Sequence, residues 1–138
     1  MDRLGQDSLT TAAIAFASRT SAGDVKGTGV LVGGAPRAIR ALVVVGTMAA
    51  NITVDCKAQQ SDTDVDGNYA DITGAAIVQI AAADKVAALD IRATKKYVRL
   101  VVTLGGAGIA GGVICGAIWD RYRPDAVPTT NSPAAVVV

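Results

Sequence analysis

Ile52-Thr-Val-Asp-Cys-Lys-Ala-Gln-Gln60 is the stretch whose reading decides the fold. Ile52, Val54, Cys56 and Ala58 fall on one side of an extended chain, and Thr53, Asp55, Lys57 and Gln59 on the other. A period of two, apolar against polar, belongs to a strand with one face in a core and the other in water. Lys96-Tyr-Val-Arg-Leu-Val-Val-Thr-Leu104 repeats it, with Val98, Leu100, Val102 and Leu104 inward and Tyr97, Arg99 and Thr103 outward. Ala88–Arg92 is a shorter copy that turns Leu89 and Ile91 inward.

On either side lie runs without the alternation. Ala38–Val45 and Val113–Trp119 are apolar at both parities. Their β-branched content predicts strands covered on both faces. Thr28–Val32 and Ala75–Ile80 are expected as shorter strands, and Ala81–Ala88 as a short helix or a loop. Turn chemistry separates the runs: Gly33-Gly34-Ala35-Pro36, the Asp-rich Asp62–Asn68, and the glycines between Gly105 and Gly112. Strands at intervals of about 8–12 residues predict an all-β fold, an antiparallel β-sandwich of jelly-roll-like form. The sandwich is expected over residues 25–120, with an N-terminal arm over 1–24 and an extended C-terminal arm over 121–138. Pro124, Pro128 and Pro133 oppose both helix and strand in the latter.

Composition narrows the function. The chain has 138 residues, 51% hydrophobic but only 4% aromatic, so its apolar mass is mainly Ala and Val. Thirteen Lys and Arg against 12 Asp leave a net charge of +1, which gives no long-range field for nucleic acid or an anionic membrane. The chain has no His, which removes Ser-His-Asp and Cys-His catalysis and imidazole metal ligands. Cys56 and Cys115 stand in strand-like runs without a CxxC pattern, as free buried thiols do. In MDRLGQDSLTTAAIAFAS, Asp2 and Asp7 precede a short apolar run, unlike a secretory signal. The expectation is a protein made in a cytoplasm and used without crossing a membrane.

Site candidates are sparse. Asp62, Asp64 and Asp66, followed by Gly67, begin like a calcium loop. The twelfth position is Thr73 where bidentate Glu is needed, and no helical pattern flanks the loop, so a solvated turn is the expected reading. Arg37, Arg40, Arg92, Lys95, Lys96, Arg99, Arg121 and Arg123 form a modest basic set. With Tyr97, Trp119 and Tyr122 as the interleaved aromatics, the set lacks a stacking platform for single-stranded nucleic acid. Asp71, Asp84 and Asp90 could act as paired carboxylates only if the fold brought them together. No metal, no cofactor and no catalytic constellation is expected.

Four stretches carry a resemblance: AIRALVVVGT, QSDTDVDGNYADITGA, ALDIRATKKYVRLVVTLGG and GGVICGAIWDRYRP. Across residues 31–119 the chain resembles small structural proteins of tailed bacteriophages, in particular β-sandwich head decoration, or cement, proteins. The resemblance implies a virion protein on the capsid exterior, often a homotrimer, that binds the major capsid protein and locks neighbouring capsid subunits. It implies no enzyme activity. Contacts are expected from the arms, at Arg3, Leu4, Arg121, Tyr122, Arg123 and Pro124. The alternatives are a carbohydrate-binding jelly-roll module, with Trp119 and Tyr122 as its aromatics, or another phage subunit of tail or neck.

Overall fold

The computed structural model describes residues 8–32, 37–122 and 135–137. The chain forms β1 (Ser8–Arg19), β2 (Gly23–Lys26), β3 (Val30–Leu31), β4 (Arg37–Met48) and β5 (Thr53–Ser61). It continues through β6 (Ala70–Ala76), β7 (Lys85–Ala93), β8 (Tyr97–Gly105), β9 (Val113–Tyr122) and β10 (Ala135–Val137). Two short 3-10 turns, Asp66–Asn68 and Ile109–Gly111, sit in connections. None of the described residues is in an α-helix, and no helix is long and apolar enough to cross a membrane.

The strands form two antiparallel sheets. The first has the order β1-β9-β4-β7-β10, and the second β2-β8-β5-β6, with β3 continuing the line of β2 along β8. β1 pairs with β9, β2 and β3 with β8, β4 with β7, and β5 with β6. The chain is thus one long hairpin rolled up, so that β9 also reaches β4 and β8 also reaches β5. With β2 and β3 counted as one broken strand, this is the two-Greek-key order of a jelly roll. The expected antiparallel sandwich of jelly-roll form is the observed fold.

The inner faces make the core. Val54, Cys56 and Ala58 of β5 and Val98, Leu100, Val102 and Leu104 of β8 meet Ile39, Ala41, Val43 and Val45 of β4 and Leu89 and Ile91 of β7. Val113, Cys115, Ala117 and Trp119 of β9 complete it, with Trp119 wholly enclosed. The period-two pattern is realised residue by residue, because a one-residue slip would turn all these side chains to water.

Three segments differ from expectation. Ser8–Arg19, placed in the N-terminal arm, is a full strand of the first sheet, and β2 begins at Gly23 within the same arm. Register shifts near Ala12 and Ile14 bury Ala13 and Ile14 side by side, which breaks the alternation there. The strand expected over 75–80 lies earlier, as β6; beyond it Ile77 and Ile80 give their N–H groups to the carbonyls of Cys56 and Val54. Of the Ala-rich 81–88 segment, residues 81–84 form a loop and 85–88 are already the start of β7, since pairing along β4 outweighs the helix preference of alanine. Asp84 takes a φ of 57° at that entry, a conformation Asp tolerates.

Candidate functional site

The outer faces of the two sheets differ in chemistry. On the first sheet the residues that alternate with the core line up in rows. Ala12, Ile118, Leu42 and Ala88 stand side by side across β1, β9, β4 and β7. Gly116, Val44 and Val86 form the adjacent row. Beyond lies Ile114, 44% exposed, opposite Ser18. Phe16, 51% exposed, lies over Gly116, where a Cβ would collide with its ring. Leu42, Val44, Val86, Ala88 and Ile118 are half-buried. A charged row, Asp120, Arg40 and Asp90, bounds this surface, with Arg40 Nε donating to Asp90 Oδ1 at 2.8 Å. The runs Ala38–Val45 and Val113–Trp119 therefore have a core on one side, while on the other the described residues leave an uncovered apolar face.

The second sheet has an outer face of charges tied to one another. Arg99 of β8 is only 6% exposed although it points away from the core. Its Nε donates to Gln59 Oε1 at 2.9 Å, and its Nη1 to Asp66 Oδ1 at 2.6 Å. Its guanidinium lies 4.2 Å from the centre of the Tyr69 ring. Lys26 of β2 also binds Asp66, at 3.1 Å. Gln59 in turn donates to Asp71 at 2.8 Å, and Lys57 binds the same carboxylate at 3.0 Å. The network crosses β2, β8, β5 and β6 and fastens the β5–β6 loop over the sheet. Tyr69 Oη donates to Asp64 Oδ1 at 2.7 Å directly above Gly29, where any Cβ would strike both groups.

The titrations follow from these contacts. Hydrogen bonds from Arg99, then from Lys26, hold the Asp66 carboxyl below its usual range. Asp71 is lowered by Gln59 and then by Lys57. Burial, and secondarily the bond to Asp64, raises Tyr69. Burial raises both thiols, Cys56 to about 12, with the facing Cys115 adding to the rise. Both are free, and raised thiols are poor nucleophiles.

The expected site residues are scattered. Asp66 serves Arg99 and Lys26, and Asp64 serves Tyr69, so two of the three carboxylates of the Asp-rich turn are used in holding the loop, and Asp62 is exposed beside them. Among the described residues no three acidic or thiol groups are placed to hold a metal ion. Asp71 and Asp90 stand on opposite outer faces, and Asp84 in a turn. Arg40 and Arg99 likewise face opposite ways, each bonded to an aspartate. Trp119 lies in the core, out of reach of a sugar. Arg121 and Tyr122 close the β9 ladder opposite Leu9 and Ser8 rather than opening an arm. Arg3, Leu4, Arg123 and Pro124 lie outside the described residues.

Leu42, Val44, Val86, Ala88, Ile114, Ile118 and Phe16 were not singled out by the sequence. Their signal was the loss of alternation in β4 and β9, which cannot by itself distinguish a core from an interface. No family model, curated protein or solved structure matches the chain.

Proposed function

We propose that this chain is a non-enzymatic virion structural protein, a decoration subunit that binds the outer capsid surface and bridges neighbouring capsid subunits. The observation that carries the reading is the apolar outer face of the first sheet, which no described segment covers, set against a second sheet that its own loop covers. Four strands about 4.8 Å apart and roughly six residues of rise at about 3.3 Å each give a patch of roughly 400 Å². A stable interface takes about 800 Å² from each partner. One such face therefore holds weakly alone and firmly when many copies engage a repetitive surface together. Jelly rolls serve both capsids and lectins, so the topology does not choose between them. The burial of Trp119 removes one of the two aromatics, Trp119 and Tyr122, on which the glycan reading relied.

Antibody raised against the purified chain and applied to intact tailed particles from the source culture tests this reading. A regular array over the head is expected. Label restricted to tail or neck, or absent from particles, overturns the head assignment. Light scattering on the isolated chain reads the trimer that the resemblance implies.

A further inference from the structure

β10 is placed by a ladder of three residues: Ala135, Val136 and Val137 lie antiparallel opposite Ala87, Val86 and Lys85. They occupy one end of the β7 edge. β7 runs on to Ala93, and on that side Ala88–Ala93 has no strand partner among the described residues. An unpaired strand edge is a template for any strand that reaches it.

Chain length decides how firmly the C-terminal strand belongs to its own molecule. From β9 to β10 the sheet spans three strand spacings, about 14 Å. Along the strands, Asp120 is level with Asp90 through Arg40, so Tyr122 is level with Arg92, and Ala135 sits five residues back at Ala87. That offset is about 17 Å, for a total separation of roughly 22 Å. The sequence supplies thirteen residue steps from Tyr122 to Ala135, which reach roughly 45 Å when extended. The reach is about twice what self-pairing needs.

We infer that β10 is an exchangeable strand, and that the β7 edge accepts the C-terminal strand of a second copy of this chain. The bonds made in exchange are the same bonds, so the two arrangements differ only in the entropy of closure and in protein concentration. A three-residue ladder holds few hydrogen bonds and opens readily. Where copies are crowded, the neighbour's edge competes with the chain's own. The inference concerns the chain in solution and does not rest on what larger assembly it joins.

Two full-length single variants test it, Val86→Cys and Val136→Cys, whose positions face each other in the ladder. Mixed and oxidised, they can form an 86–136 disulfide only between chains, since neither variant carries both cysteines. Mass spectrometry of the linked peptides is expected to find it. In the double variant, a ten-fold rise in protein concentration should raise the ratio of inter-chain to intra-chain link about ten-fold. An intra-chain link in the double variant with no link in the mixture overturns exchange. No 86–136 link in either overturns the placement of β10 on which the inference stands. Circular dichroism of each variant verifies the fold.

Discussion

The two sheets treat their outer faces in opposite ways. The second binds its own loop: Arg99, Asp66, Lys26, Gln59, Asp71 and Lys57 satisfy one another, and the covered arginine is nearly as buried as a core residue. The first presents Leu42, Val44, Val86, Ile118, Ile114 and Phe16, and no described segment lies over them. Charge on a sheet face can be neutralised within one molecule by pairing. Apolar area can be removed from water only by another surface. The difference makes the second sheet's face self-sufficient and leaves the first sheet's apolar face uncovered by any described segment, which is the ground of the proposed docking role.

Substitutions separate these roles, and the largest effect lies in the layer both sheets share. Trp119→Ala should cost about 3–5 kcal/mol in chemical denaturation, through cavity formation in the core. A smaller loss would show that the sheets close over the gap. Arg99→Ala comes next. It releases the β5–β6 loop, lowers Tm by several degrees and speeds proteolysis between Ser61 and Tyr69, while association through the first sheet is unchanged. Gly29→Ala should give the same phenotype by displacing Tyr69 and Asp64. If either variant abolished association, the faces would not be independent.

Acid gives a graded form of that test. Asp66 and Asp71 have folded-state pKa values below their unfolded values, so their stabilisation is complete above the ordinary aspartate range. It is lost as pH falls through that range towards the lowered folded values. Hydrogen exchange should show the β5–β6 loop opening there before β4 and β9 respond. The smallest effect on stability is expected from Leu42→Thr with Val44→Thr, under about 1 kcal/mol, because threonine keeps the strand preference. That variant should nevertheless lose particle binding in sedimentation. Retained binding would remove the first sheet's face as the docking surface.

Legibility in the sequence followed the same division. β5, β8 and the centre of β7 were readable because one side of each strand is polar, and the alternation names the inward residues directly. The Ala-rich entry to β7 was not, since pairing with β4 settles a segment whose own preferences are weak. β1 was hidden by small residues and by bulges that bury Ala13 and Ile14 together. The Asp-rich turn was read as a turn, but its engagement with Arg99 across the sheet needed the register of β5 and β8. The apolar face was visible only as surplus hydrophobicity in β4 and β9. It became a surface once the topology placed those strands side by side with their outward residues in rows.

The rolled hairpin has a consequence in time. Among the described strands β1 finds its sheet partner only in β9, and β4 borders β9 as well. Such distant pairing makes for slow folding. Until Val113–Tyr122 is made, β1 and one edge of β4 remain open, with apolar side chains on both faces of β4. The nascent chain is thus most prone to clump just before its ninth strand leaves the ribosome, and a stop codon or pause ahead of Val113 should send it to aggregates rather than to a shortened sandwich.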